Sequence, residues 1–175
     1  SPTFSTAFQF RRTMSFTQPS LKGRALRLLS GREYSRAELE RKLKTHEETS
    51  GELVRALDEL QAKGFISEQR VVESVINRRS AKLGTARIRQ ELQGKGLDPQ
   101  AVTDAVASLK ATELSRAREV WRKKFGAKSD GAPDGVVTDA AERGKQMRFL
   151  AARGFGGDVI RRVVSGGAGD DALDE

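Results

Sequence analysis

The chain predicts an all-α fold: an elongated array of three tandem three-helix repeats, each a helix-turn-helix-like module. Three observations predict it. Apolar residues recur at the three- and four-residue spacing of one helix face almost throughout. No stretch alternates with period two, so no sheet is expected. The chain also aligns with itself. A shift of 49 residues takes Leu39 to Ile88, Leu43 to Leu92, Leu53 to Val102, Leu57 to Val106 and Leu60 to Leu109. A further shift of 58 takes Leu92 to Leu150, Gly96 to Gly154, Leu97 to Phe155, Val102 to Ile160 and Val106 to Val164.

The elements follow in order. Residues 20–31, 35–46 and 50–63 form the first repeat, within 20–65. Leu26 and Leu29 mark its first helix, Leu39 and Leu43 its second, and Leu53, Leu57 and Leu60 its third. Ser35 and Glu38 have capping-box spacing, in which each side chain satisfies a free backbone amide near the other. The second repeat, 66–111, holds helices at 67–82, 84–94 and 98–110. Asp98-Pro99 starts its last helix: Asp accepts from a free amide, and Pro has no amide to satisfy. The third repeat, 112–165, holds helices at 113–125, 138–153 and 157–165, with a Gly/Pro/Asp-rich loop at 126–137. Lys63-Gly64-Phe65, Lys95-Gly96-Leu97 and Arg153-Gly154-Phe155 read as stops, where Gly takes the left-handed conformation and the next apolar residue folds back on the last turn. Residues 1–19 read as a poorly ordered leader, with Met14 an alternative start, and 166–175 as a flexible acidic tail. A single three-helix unit has too few large side chains for a deep core, so neighbouring units must cover one another.

Composition bounds the function. The 175 residues are 37% hydrophobic and 32% charged, the balance of a soluble, helix-rich protein, and no window is long and apolar enough to span a membrane. The absence of Cys excludes disulfides and thiolate chemistry and suits a reducing cytoplasm. A net charge of +8 points towards an acidic partner. That charge is uneven: residues 31–60 carry six basic and eight acidic side chains, whereas 70–95 carry seven basic and two acidic.

Candidate catalytic groups do not assemble, and the chain reads as neither an enzyme nor a metal or cofactor protein. His46 is the only histidine and lies in the polar segment KTHEETS, so no histidine pair exists to hold a metal. Gly144-Lys145 resembles the end of a phosphate-binding loop, but Gln146 stands where Ser or Thr belongs and Asp139 where the first Gly belongs. Glu47–Glu48 and Asp170–Asp171 lie in polar stretches with no apolar pocket to raise a pKa.

The basic clusters carry the functional reading. Arg78, Arg79 and Lys82 crowd one helix end; Arg87, Arg89 and Lys95 lie off the apolar stripe of the next helix; and Arg122, Lys123 and Lys124 occupy the matching end one repeat later. Two like clusters one repeat apart would form a ladder suited to a periodic polyanion or a filament groove. Gly84 and Gly96 are assigned to turns. The 98–110 helix, DPQAVTDAVASLK, carries two Asp and one Lys, which argues against major-groove readout of base sequence. Of the later aromatic residues, Phe65, Phe125, Phe149 and Phe155 are spaced like core. Acidic protein, DNA and a purely scaffolding role all stay open on these residues alone.

The stretches SLKGRALRLLSGREYSRAELERKL and GFISEQRVVESVINRRSAKLGTARIRQELQGKGL resemble RecX, the family of bacterial regulators of the RecA recombinase. The resemblance covers about residues 20–165 and is most specific from Leu83 onwards. It implies tandem three-helix modules and binding to RecA and to the groove of RecA–DNA filaments. It further implies inhibition of strand exchange, ATPase and coprotease activities. Direct contact with single- or double-stranded DNA, a monomeric state and a cytoplasmic location accompany that expectation. Arg78, Arg79, Lys82, Arg87 and Arg89 fall on the basic part of the matching motif and become candidate contacts with acidic RecA surfaces or filament DNA.

Overall fold

A computed structural model describes residues 18–126 and 139–166. Apart from its last two residues, the expected leader lies outside this range. So do the 126–137 loop beyond Gly126 and the acidic tail beyond Gly166. Among the described residues all regular structure is helical: α1 (Leu21–Gly31), α2 (Arg36–Leu43) with a 3-10 turn at Lys44–His46, α3 (Glu52–Ala62), α4 (Glu68–Arg79), α5 (Thr85–Gly94), α6 (Pro99–Phe125), α7 (Ala140–Ala152) and α8 (Gly157–Val164).

Local chemistry sets most of these limits. Ser35 caps α2 as a capping box: its hydroxyl accepts from the Glu38 amide at 3.2 Å, and Glu38 Oε2 accepts from the Ser35 amide at 2.8 Å. Asp98 accepts from the Gln100 amide at 3.2 Å, with Pro99 opening α6. Gly64, Gly96 and Gly154 end α3, α5 and α7 with φ of 81°, 65° and 90°, a region that costs Gly nothing. Leu97 and Phe155 fold back into the core after their glycines, but Phe65 does not. The Phe65 amide bonds to Leu60 O at 2.9 Å, yet its ring is 47% exposed. Ile66, one residue on, takes the buried place instead.

One expected boundary is absent. The helices expected at 98–110 and 113–125 are a single 27-residue helix, α6. Lys110, Ala111, Thr112 and Glu113 include no Gly or Pro, and Ala is the best helix former, so nothing interrupts the backbone hydrogen bonds there. Leu109, Glu113 and Ala117 keep one buried face across the junction.

Three apolar cores result. The first joins α1, α2 and α3 around Leu39, Leu57 and Leu60. The second joins α4, α5 and the first half of α6 around Val71, Val75, Ile88 and Leu92. The third joins the second half of α6 to α7 and α8 around Ala117, Leu150 and Ile160. The modules meet end to start along their middle helices. At the first junction, the Ser35 hydroxyl donates to Lys95 O at 2.5 Å, Arg41 donates to Gly94 O at 2.9 Å, and Lys95 pairs with Glu38 at 2.9 Å. At the second, the Gly84 amide donates to Arg153 O at 2.7 Å, the Ala86 amide to Gly154 O at 3.2 Å, and Arg87 to Ala152 O at 2.8 Å. Carbonyls left unpaired at one helix end are thus satisfied by donors on the preceding module's middle helix or at its N-terminal cap.

Candidate polyanion-binding cleft

The second junction builds a cationic cleft of about 490 Å³, lined by Lys82, Lys123, Lys124, Arg153, Phe149 and Val120, with Ala81 at its edge. Each wall comes from a different element. Because α6 runs unbroken into the third module, its last turn carries Lys123 and Lys124 to the turn between α4 and α5. That turn, which holds Lys82, is fastened from beneath by Arg116 of α6. Its guanidinium donates to Ser80 O at 3.1 Å, Leu83 O at 2.6 Å, Leu109 O at 3.1 Å and Thr85 Oγ1 at 3.2 Å. Glu113, one turn earlier and buried, accepts from the Thr85 amide at 3.2 Å. Burial pulls the Arg116 pKa down against the opposing charge of Glu113.

The third wall is the end of α7. Arg153 donates to Lys82 O at 3.4 Å, and its guanidinium lies 4.5 Å from the Phe149 ring centroid. Lys124 stands 5.7 Å from the same ring, and Phe125 meets it edge-on at 5.3 Å. Phe149 is half-buried, packing against the third core while its ring also forms a wall of the cleft. No carboxylate lines the cleft. Four cations around one aromatic wall suit a phosphate chain, a stacked base or a carboxylate-rich segment.

The structure divides the nine basic candidates among several roles. Lys82, Lys123 and Lys124 share the cleft, so the two clusters converge on one site instead of standing apart as ladder rungs. Arg122 leans away, paired with Glu119 at 2.7 Å, and Lys123 is 3.9 Å from the same carboxylate. Arg78 and Arg79 both pair with Glu91, at 2.7 and 3.1 Å. Arg87 and Lys95 are spent on the module junctions. Arg89 lies on a separate groove between α5 and α6.

Gly84 has φ −78°, an ordinary extended value, so it is not needed for a left-handed turn. A Cβ there would fall inside contact distance of the Gly154 carbonyl group and the Phe155 nitrogen; glycine is required by the approach of the third module. Gly96 has both constraints: φ of 65°, and a Cβ that would stand 2.7 Å from Ala37 Cβ. Asp139 caps α7 by accepting from the Ala141 amide at 2.9 Å. Among the described residues no cluster of three or more His, Asp or Glu is placed to hold a metal.

Sequence reasoning missed Arg153, Phe149 and the Arg116–Glu113 pair. A signal existed for Arg153, since the 58-residue shift places it on Lys95, another junction cation. Arg116 and Glu113 gave none, because a helix starting at 113 gives no reason for either to reach back to the α4–α5 turn.

Three family descriptions match the chain in sequence order: the first three-helix domain of RecX at residues 22–60, the second at 67–106 and the third at 111–164. The RecX regulatory protein of Leptothrix cholodnii is 51% identical over 84% of this chain and 88% of its own length. That of Herminiimonas arsenicoxydans is 45% identical over 86% and 95%. The crystal structure of RecX from Lactobacillus salivarius superposes with a TM-score of 0.66 at 20% identity, over 82% of this chain and 92% of that one. No helix among the described residues is long and apolar enough to cross a membrane.

Proposed function

We propose, on the premise that this chain belongs to the RecX family of regulatory proteins, that it is a non-enzymatic negative regulator of RecA. In this reading it binds RecA and RecA–DNA filaments along the filament groove, in the cytoplasm. It lowers strand exchange, ATP hydrolysis and coprotease activity. Family membership supports the RecA-directed part. The observation that carries the mechanism is the gathering of Lys82, Lys123, Lys124 and Arg153 in one carboxylate-free cleft. Such a cleft gains most from an acidic partner with regularly spaced charge, because each neutralised phosphate releases part of its condensed counterion.

The cleft walls come from two modules, so the geometry of the partner is read by the junction as well as by the charges. The Arg116 clamp fastens the turn carrying Lys82 to α6, which spares the complex the cost of ordering that turn's backbone. Phe149 and Arg153 add a flat surface on which a base or a planar side chain can lie.

The test adds purified protein to preformed RecA filaments on single-stranded DNA and follows ATP hydrolysis, with binding to naked DNA measured in the same buffer. Inhibition at concentrations too low to coat free DNA is the expected result. The triple variant K82E/K123E/K124E should lose at least tenfold in inhibitory potency. Unchanged hydrolysis together with salt-sensitive DNA binding would instead identify a RecA-independent, sequence-nonspecific DNA-binding protein.

A further inference from the structure

The second module has an open groove of about 630 Å³ between α5 and α6, on surface distinct from the cationic cleft. Its floor is aliphatic: Leu97, Pro99, Val102 and Val106. Arg89 and Lys110 are its charged lining residues, and among the described residues neither side chain makes a hydrogen bond or ion pair.

The first module shows what belongs in this place. Under the 49-residue shift, Glu40 corresponds to Arg89, Asp58 to Ala107, Gln61 to Lys110 and Arg36 to Thr85. In the first module Arg36 spans from α2 to α3. It donates to Glu40 at 3.2 Å and Gln61 at 2.9 Å, pairs with Asp58 at 2.6 Å, and reaches Val54 O at 3.4 Å. One guanidinium thus closes the region between two carboxylates. In the second module the spanning residue is gone. Thr85 is short, buried and engaged by Arg116 and Glu113 beneath the turn. The flanking residues differ as well: Arg89 stands in place of Glu40, Lys110 in place of the neutral Gln61, and Ala107 in place of Asp58.

From this internal comparison we propose that the α5–α6 groove is a docking site for an acidic amphipathic segment of a partner protein. A carboxylate of that segment enters between Arg89 and Lys110, in the place that Arg36 fills between Glu40 and Gln61 in the first module. An aliphatic side chain beside it covers Val102 and Val106. The aliphatic lining favours a peptide over a nucleic acid, since the groove offers no ring on which a base could stack. The proposal concerns the chemistry of the segment and does not depend on the partner being RecA.

The experiment measures fluorescence anisotropy of two labelled peptides against the full chain. One carries Glu and Leu on a single helical face; the other carries Lys in place of each Glu. The intact protein is expected to bind the Glu peptide at least tenfold more tightly. The double variant R89E/K110E is expected to invert that preference, a gain of binding that an unfolded protein could not produce. A labelled oligothymidylate serves as the third probe and should be nearly indifferent to R89E/K110E. Equal binding of both peptides by the intact protein would overturn the proposal, as would an unchanged preference in the double variant. A loss of oligothymidylate binding matching the loss of peptide would assign the groove to nucleic acid instead. In the background of the cleft variant K82E/K123E/K124E, which removes any acidic peptide held by that cleft, R89E/K110E should still invert the remaining preference. The two proposals therefore fail separately.

Discussion

Individual residues at the module junctions carry constraints that their types alone do not display. Gly84 is the sharpest case, because the clash from an added Cβ would be with the backbone of Gly154 and Phe155, which cannot rotate aside. Gly84→Ala should therefore cost about 3 kcal/mol, the upper end of overpacking penalties, read as a shift in the urea midpoint. Glu38 makes a second prediction. Burial pushes its carboxyl up, but the Ser35 amide, Lys95 and Arg32 together hold it down at about 2, from an ordinary 4.5. A depressed carboxyl contributes stability that is present above pH 4.5 and lost as pH falls towards 2. Glu38→Gln should be less stable than the parent at pH 7, and the difference should shrink as pH falls from about 4.5 towards 2 in a chemical-denaturation series. The capping-box half of this residue was legible from Ser35 and Glu38 three apart. The Lys95 half joins positions 57 residues apart and was not.

Among the elements, α6 separates local from non-local information. Nothing in the run from Lys110 to Glu113 stops a helix, yet the repeat suggested a turn there because the other modules have one between them. Continuity wins, as the backbone hydrogen bonds persist and Leu109 and Ala117 face cores on the two sides of the junction. Ala111 is exposed on this helix, so Ala111→Pro tests the linkage with little direct core damage. Pro in a helix interior costs about 3 kcal/mol. The expected outcome is loss of coupling between the second and third modules, seen by calorimetry as a broadened or split transition. Phe65 makes the complementary point. Gly64 fixes the backbone turn as expected, but Ile66 fills the core position, leaving the ring outside.

At the scale of the whole molecule, end-to-start stacking of the middle helices turns separate basic clusters into a cleft. Lys82 and Lys123 are distant in sequence and line one cleft because α6 is unbroken and Arg116 fastens the α4–α5 turn to it. Arg116→Met should leave several carbonyls without their donor and cost about 3 kcal/mol. It should also weaken binding to polyanions, although Arg116 itself does not line the cleft. Neutralising Lys82, Lys123 and Lys124 as K82Q/K123Q/K124Q should reduce the slope of log affinity against log salt on single-stranded DNA by about 2. An unchanged slope would place the DNA contacts elsewhere.

The sequence by itself determined the helical segments other than the continuity of α6, most of their caps, the threefold repetition and the family, because periodicity, capping chemistry and self-similarity are carried by residues close together or by a regular shift. It also located the excess charge in the later modules. The tertiary structure decided which charges are available. Arg78, Arg79, Arg87 and Lys95 are occupied by Glu91, Ala152 O and Glu38, while Lys82, Lys123 and Lys124 are brought together with Arg153 and Phe149. The physical reason is range. Helix formation is settled within a few residues, whereas the partner of a charged side chain is set by backbone placements dozens of residues away.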